Sequence, residues 1–245
     1  DFARELNLPI LLIIDASRMA QSFAAIANGM LGFDPSLKFF AVAANRVASD
    51  RHAYLIKQKL PKTIPLCAVV ARNNAAHLPT RHLGLMQAQE ITDLQRRLDI
   101  LAVQIAASGM LQNWPPPQVS YKEPLPASVL PPLLAKRRIA IAKDQAFSFL
   151  YPHNIEWLEA MGASIDYFSP LHDLRLPPSD AIYLPGGFPE LHIPALSQNL
   201  GLACDIRRHF QDNKPMVAEC GGLLYCLQSL ADKQGNRAPM LDLLT

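Results

Sequence analysis

A thiol, an acid and two glycines stand together in Ala218-Glu219-Cys220-Gly221-Gly222. The short apolar run Met216 to Ala218 precedes the thiol and reads as a strand; Leu223-Leu224-Tyr225-Cys226-Leu227 follows and reads as a helix. Cys220 therefore falls on a sharp strand-to-helix turn. Such a turn pushes its apex side chain out of the sheet end, while glycines let the chain bend and the helix pack close behind. A cysteine placed there meets the positive end of a helix and its free N–H groups, which favour thiolate over thiol. That is the chemistry of a sulfur nucleophile. A structural cysteine buried at a strand end fits the same local pattern.

A second glycine pair stands in Pro185-Gly186-Gly187-Phe188-Pro189-Glu190, at the end of the strand Ala181-Ile182-Tyr183-Leu184. Glycines at the carboxyl end of a strand allow a backbone N–H to point at a developing oxyanion. A tight turn explains the pair equally well. Its weight comes from order, because the next strand in sequence carries Cys220. A thiolate attacking a carbonyl also needs a base. His153, His172, His192 and His209 are the candidates in this half, and none stands at a strand end beside the cysteine. All four read as surface or structural histidines.

These residues must be positioned by the rest of a 245-residue chain, half of it hydrophobic, which is ample for two cores. A net charge of +2 and 18% charged residues give no nucleic-acid or membrane-surface signature. Cys67, Cys204, Cys220 and Cys226 show neither a close metal pair nor a disulfide spacing, so a reduced, cytoplasmic chain is expected. No apolar run reaches transmembrane length. Asp1 at the start and Leu243-Leu244-Thr245 at the end read as cut ends.

In the first half, Pro9 to Asp15 is apolar on both faces, as a central parallel strand is. Ser17 is a candidate cap for a helix with Met19, Phe23, Ile26, Ala27, Met30 and Leu31 on one stripe. Phe39 to Ala44 is a second strand and Leu66 to Ala71 a third. Ser49 caps a helix between these two strands, with Leu55, Ile56 and Leu60 facing inward. A long helix from near Ala88 carries Ile91, Leu94, Leu98, Leu101 and Ile105. Asp15 and Asn45 fall at carboxyl ends of strands, the usual ligand edge of such sheets, although a helix cap and a local turn account for them as well. No glycine-rich phosphate loop is present in this half. From Trp114 the chain is proline-rich and semi-rigid. The order of elements predicts an α/β chain: two doubly wound, mainly parallel-sheet domains, 1–113 and 137–245, joined by a Pro-rich linker, 114–136.

Pro185 to Leu191 together with Ala218 to Tyr225 resembles the class I glutamine amidotransferase domain of the cobyrinic acid a,c-diamide synthase family. Phe147 to Asn154, Phe168 to Asp173, Phe33-Asp34-Pro35, Asn45-Arg46-Val47 and Pro79-Thr80-Arg81-His82-Leu83-Gly84-Leu85 carry the likeness across nearly the whole chain. The resemblance implies a first domain similar to dethiobiotin synthetase that uses ATP and Mg2+ to activate corrin side-chain carboxylates as acyl phosphates. It implies a second domain that hydrolyses glutamine and delivers ammonia. Cys220 would then form the γ-glutamyl thioester, Gly187 and Gly221 would supply oxyanion N–H groups, and Asn45 matches the position expected to meet adenine. The P-loop, the metal-binding acids and the triad histidine of that family have no counterpart in these residues. The chain by itself is therefore expected to be inactive, and no metal ligand is assigned. Corrin and glutamine are the implied partners, and a homodimer is compatible with the pattern. Cobyric acid synthase, a synthase for another tetrapyrrole, and a non-enzymatic α/β binding module are the alternatives.

Overall fold

Strand β1, Ile10–Asp15, lies beside β2, Phe39–Val47, which lies beside β3, Leu66–Ala71, all parallel. The two faces of β2 separate by the period of two that a pleated strand imposes. Val42 and Ala44 pack with Phe23, Ala27 and Ile56 on one side. Ala41 and Ala43 pack with Cys67 and Ala68 on the other, and Trp114 stacks edge-on against Phe40 there. The computed structural model describes residues 2–62, 65–81, 84–114 and 131–244. His82, Leu83 and most of the proline-rich stretch lie outside the described residues.

The chain is α/β and divides into two compact units, Asp1–Leu125 and Pro126–Thr245. In the first, α1 (Phe2–Glu5) precedes β1, α2 (Ser22–Phe33) links β1 to β2, and α3 (Asp50–Lys59) links β2 to β3. The short pair β4 (Thr80–Arg81) and β5 (Gly84–Leu85) then leads to α4 (Leu94–Ala107). Ser49 caps α3 as expected, its side chain accepting the His52 N–H. Ser17 caps nothing: its own N–H is donated to Asp15 Oδ1 at 2.9 Å, and α2 starts five residues later. The inner face of α2 is Phe23, Ala24, Ala27 and Leu31, with Met19 ahead of the helix packed on the same core, whereas Ile26 and Met30 are exposed. Helix α4 starts at Leu94, after a separate 3-10 turn over Ala88–Glu90, so Ile91 precedes it. Leu98 faces outward on α4.

In the second unit, β6 (Arg138–Ala142) is followed by α5 (Pro152–Ala160), β7 (Ser164–Phe168), β8 (Ala181–Leu184), α6 (Ile193–Gln198), α7 (Leu200–Gln211), β9 (Met216–Ala218) and α8 (Gly221–Cys226). A hairpin, β10 (Ser229–Ala231) and β11 (Arg237–Pro239), follows, and Leu244 beyond it bridges to Leu227. The sheet order β7-β6-β8-β9 is parallel throughout. Succession runs from β6 to one side and then returns to the other, so the crevice between the ends of β6 and β8 is a topological switch point, where ligands bind in such sheets. Gly162, at φ +92°, ends α5 in the left-handed conformation that glycine tolerates. Leu202 and Ile206 of α7 are buried in the core, but Phe210 is exposed.

His209, on α7, is 4% exposed and donates its Nε2–H to the Pro215 carbonyl at 3.1 Å. Burial pulls its pKa below the ordinary 6.5, and the Lys214 charge adds to this; the Pro215 carbonyl and Asp212 oppose it. The unfolded chain therefore takes up this proton at higher pH than the folded one. Stability from a neutral His209 is complete above about 6.5 and declines as pH falls below it, by at most about 1.4 kcal/mol per pH unit for one proton. Chemical denaturation of the wild-type chain between pH 7.5 and 5 should show this slope, and His209→Gln should flatten it. An equal slope in both proteins would contradict the assignment.

Candidate functional site

The register of the sheet pairs Leu184 of β8 with Ala218 of β9. Both strands end there, so the two glycine-bearing loops emerge side by side. Cys220 stands at φ 51°, ψ −115° immediately before α8, a conformation that costs a non-glycine residue about 1–3 kcal/mol. Three bonds hold this bend: Glu219 N–H to Leu184 O at 3.1 Å, Gly222 N–H to Glu219 O at 2.9 Å, and Leu224 N–H to Cys220 O at 3.1 Å. Cys220 is exposed. Cys226 and Cys67 are buried, and burial raises both thiols, Cys226 to about 11.

The glycines are explained by contact. A Cβ on Gly222 would lie 2.1 Å from Leu184 O, and one on Gly187 would lie 1.9 Å from Ala146 O. A Cβ on Gly221 would lie 2.8 Å from the Gly187 nitrogen, and one on Gly186 would be 3.4 Å from the Cys220 Cβ. The structure thus brings Cys220, Gly187 and Gly221, predicted from sequence, to one sheet edge. Among the described residues, neither the Gly187 nor the Gly221 N–H is donated to a protein acceptor. Phe149 forms a bridge to Gly186 and packs edge-on against Phe188, giving this edge an aromatic wall. An exposed thiol beside free backbone N–H groups is the arrangement that covalent acyl transfer uses.

Two features of this edge were not anticipated from the sequence. Tyr183 donates its hydroxyl to the Glu219 carboxylate; burial first, and then this carboxylate, push the phenol up. Asp144, just past β6, accepts hydrogen bonds from Ala146 N–H, Phe147 N–H, the Ser169 hydroxyl and Leu171 N–H. Their spacing carries no periodic signal, and an acid two residues past a strand is an ordinary loop residue. His153 meets Glu156 and Trp157, His209 is the buried residue described above, His172 is exposed and His192 half-buried, and no described histidine is hydrogen-bonded to Cys220.

In the first unit, Asn45 lines a cavity of about 520 Å³ with Arg46, Ala71, Arg72, Asn73, His77 and Thr80, at the carboxyl ends of β2 and β3. Asn45 Oδ1 accepts the Arg46 N–H, and Arg46 stands at φ 59°. Asp15 pairs with Arg46 at 3.2 Å. Its carboxyl is held below the ordinary value, first by the Ser17 N–H and then by the Ser17 hydroxyl, with Arg46 adding to them. Among the described residues, no group of three or more His, Cys, Asp or Glu is arranged to hold a metal, and no helix is long and apolar enough to cross a membrane.

Residues 138–245 match the sequence model of the CobB/CobQ-like glutamine amidotransferase domain. A hydrogenobyrinate a,c-diamide synthase of Stutzerimonas stutzeri is 48% identical over 244 residues, covering 100% of this chain and 56% of that protein. The protein of the same name from Pseudomonas aeruginosa is 43% identical, covering 100% and 55%. A cobyrinate a,c-diamide synthase of Synechocystis is 40% identical over 250 residues, covering 99% and 51%. Over its whole length the chain is similar to these a,c-diamide synthases. It spans about half the length of these curated relatives.

The glycine contacts of this chain can be tested directly. Gly187→Ala should cost about 1–3 kcal/mol, because the Ala146 carbonyl cannot yield without moving the loop. Gly29→Ala, on α2 with open space around its Cβ, should instead stabilise by roughly 0.5–1 kcal/mol. Thermal unfolding of the two variants reads the contrast. A Gly187→Ala protein as stable as wild type would show that the close approach is wrong.

Proposed function

We propose that the protein carrying this chain amidates the a and c carboxylates of a corrin, cobyrinate or hydrogenobyrinate, using glutamine and ATP. The observation that carries this reading is the exposed Cys220 on its positive-φ bend, in contact with the Gly186-Gly187 turn. Its support from similarity is the amidotransferase match over 138–245 and the names of the relatives.

In this reading the Cys220 thiolate attacks the side-chain carbonyl carbon of glutamine. Electron density moves to the carbonyl oxygen, and the N–H groups of Gly187 and Gly221 receive the oxyanion. The C–N bond then breaks, the nitrogen takes a proton and leaves as ammonia, and a γ-glutamyl thioester remains on Cys220. Water cleaves the thioester to glutamate and returns the thiol. The ammonia displaces phosphate from an activated corrin carboxylate, giving the amide. The base that manages the Cys220 proton is not assigned to any residue of this chain.

Asn45 and the cavity it lines fit the base end of ATP: an amide at a strand end faces a space of about 520 Å³ among polar side chains. ATP would supply the phosphoryl group that activates the carboxylate. Mg2+ would accompany ATP, a cation usually held by the phosphates and one or two carboxylates; the described residues contain no group of three or more His, Cys, Asp or Glu that could hold a metal, and no residue of this chain is assigned to it. The two domains, 1–113 and 137–245, would divide the work between carboxylate activation and ammonia production.

In full-length protein, Cys220→Ala should lower glutamine-dependent corrin amidation by roughly 10³-fold or more, as loss of a nucleophile does. Amidation driven by ammonium salt should stay within about twofold of wild type, a factor worth only about 0.4 kcal/mol. Retained glutamine-dependent turnover would remove Cys220 from the chemistry. Loss of both activities would point to a structural cysteine.

A further inference from the structure

The Gly187 N–H is useful to an oxyanion only if its peptide is held still. Gly187 has no side chain, so the restraint comes from the Gly186 carbonyl of the same peptide, which accepts the Phe149 N–H at 3.0 Å, and from the surface that Gly187 packs on. That surface is the Ala146 carbonyl, which accepts the Phe188 N–H at 2.9 Å and lies where a Gly187 Cβ would otherwise sit. Ala146 belongs to a tight turn closed by reciprocal bonds of 3.3 Å between Asp144 and Phe147.

The Asp144 carboxylate organises this turn from inside. Oδ1 accepts from Ala146 N–H at 2.8 Å and Phe147 N–H at 3.1 Å. Oδ2 accepts from the Ser169 hydroxyl at 2.8 Å and Leu171 N–H at 2.9 Å, both in the loop after β7. A carboxylate has about four acceptor sites, and here all four are used. The β7 loop is itself tied down, because Asp173 accepts the Ser169 N–H at 2.7 Å. One side chain thus joins the ends of β6 and β7 and, through Ala146, fixes the peptide that follows β8. We propose that Asp144 is the positioning residue for the oxyanion-binding Gly187 peptide. This rests on the glutaminase reading of Cys220 and adds to it a residue that acts through Ala146 without touching substrate.

An amide cannot replace this carboxylate. Asparagine keeps one acceptor oxygen and turns an NH2 group toward two donors on the other side, whichever way it is placed. Asp144→Asn should therefore loosen the turn while Phe147, packed on Tyr225 at 5.5 Å, keeps the core closed. Displacement of an oxyanion donor by a fraction of an ångström reduces turnover more than binding.

The test uses full-length protein and two reactions of Cys220. The first is glutamine hydrolysis, which passes through an oxyanion. The second is alkylation by iodoacetamide, in which sulfur displaces iodide from carbon and no oxyanion forms. For Asp144→Asn, kcat for glutamine should fall about 10- to 100-fold with KM within about twofold, and the alkylation rate of Cys220 should stay within about twofold. An unchanged kcat would overturn the proposal, as would an equal fall in alkylation, which would mean a general disturbance of the cysteine. Should Asp144→Asn fail to fold, Ser169→Ala removes one of the four bonds and should lower kcat about threefold or more at constant KM; an unchanged kcat would again overturn it. Cys220→Ala run in parallel separates the two layers: glutamine hydrolysis surviving in that variant defeats the glutaminase reading itself.

Discussion

The carbonyl oxygens of Leu184 and Ala146 occupy the volume that side chains at Gly222 and Gly187 would need, 2.1 and 1.9 Å from the Cβ each residue lacks. This close passage of backbones is the constraint on which the candidate site depends. It arises because β8 has a parallel neighbour in register on each side, β6 and β9, and the three strands turn at the same level of the sheet. Their loops then cross the sheet edge at backbone-to-backbone distance. Any larger residue would force the loops apart and take Cys220 away from the Gly187 peptide. The glycine doublets are therefore requirements of packing before they are features of chemistry, and the free N–H groups are what that packing leaves behind.

The same passage stabilises the bend at Cys220. A non-glycine residue at positive φ is unfavourable by about 1–3 kcal/mol, and it persists where surrounding structure over-determines it. Leu184 O takes the Glu219 N–H on one side of the cysteine, and Gly222 packs on that same oxygen on the other. Cys220 is held between two contacts to a single carbonyl at the end of a buried strand. Buried Tyr225 and Cys226 root α8 in the core, so the bend is set from both ends. Exposure of the sulfur follows from this geometry.

Much of this was legible in the sequence, for identifiable reasons. Strand-turn-helix order at Met216 to Leu227 and at Ala181 to Phe188 shows as apolar runs broken by paired glycines, because few residues other than glycine fit such contacts. Parallel strands show as runs apolar on both faces, such as Ile139 to Ala142. The misreadings also have physical causes. Ala88, Gln89 and Glu90 are good helix formers, but the 3-10 turn they sit in ends at Ile91 and α4 starts only at Leu94. Ile26 and Met30 look like core residues by type, yet the neighbouring elements cover the face of α2 that carries Phe23, Ala24, Ala27 and Leu31. Asp144 was invisible because its partners at Ser169 and Leu171 are set by sheet order. Sequence distance gives no hint that the ends of β6 and β7 are adjacent.

The central claim is that the exposed sulfur of Cys220 becomes covalently bound to the carbon skeleton of glutamine while Gly187 and Gly221 face the oxyanion. Acid quenching of full-length protein during turnover with carbon-labelled glutamine, followed by peptide mass spectrometry, tests it most directly. The account predicts a γ-glutamyl adduct on the peptide containing Cys220 and on no other cysteine peptide. An adduct on Cys67, Cys204 or Cys226, or steady glutamine turnover with Cys220 unmodified throughout, would contradict it.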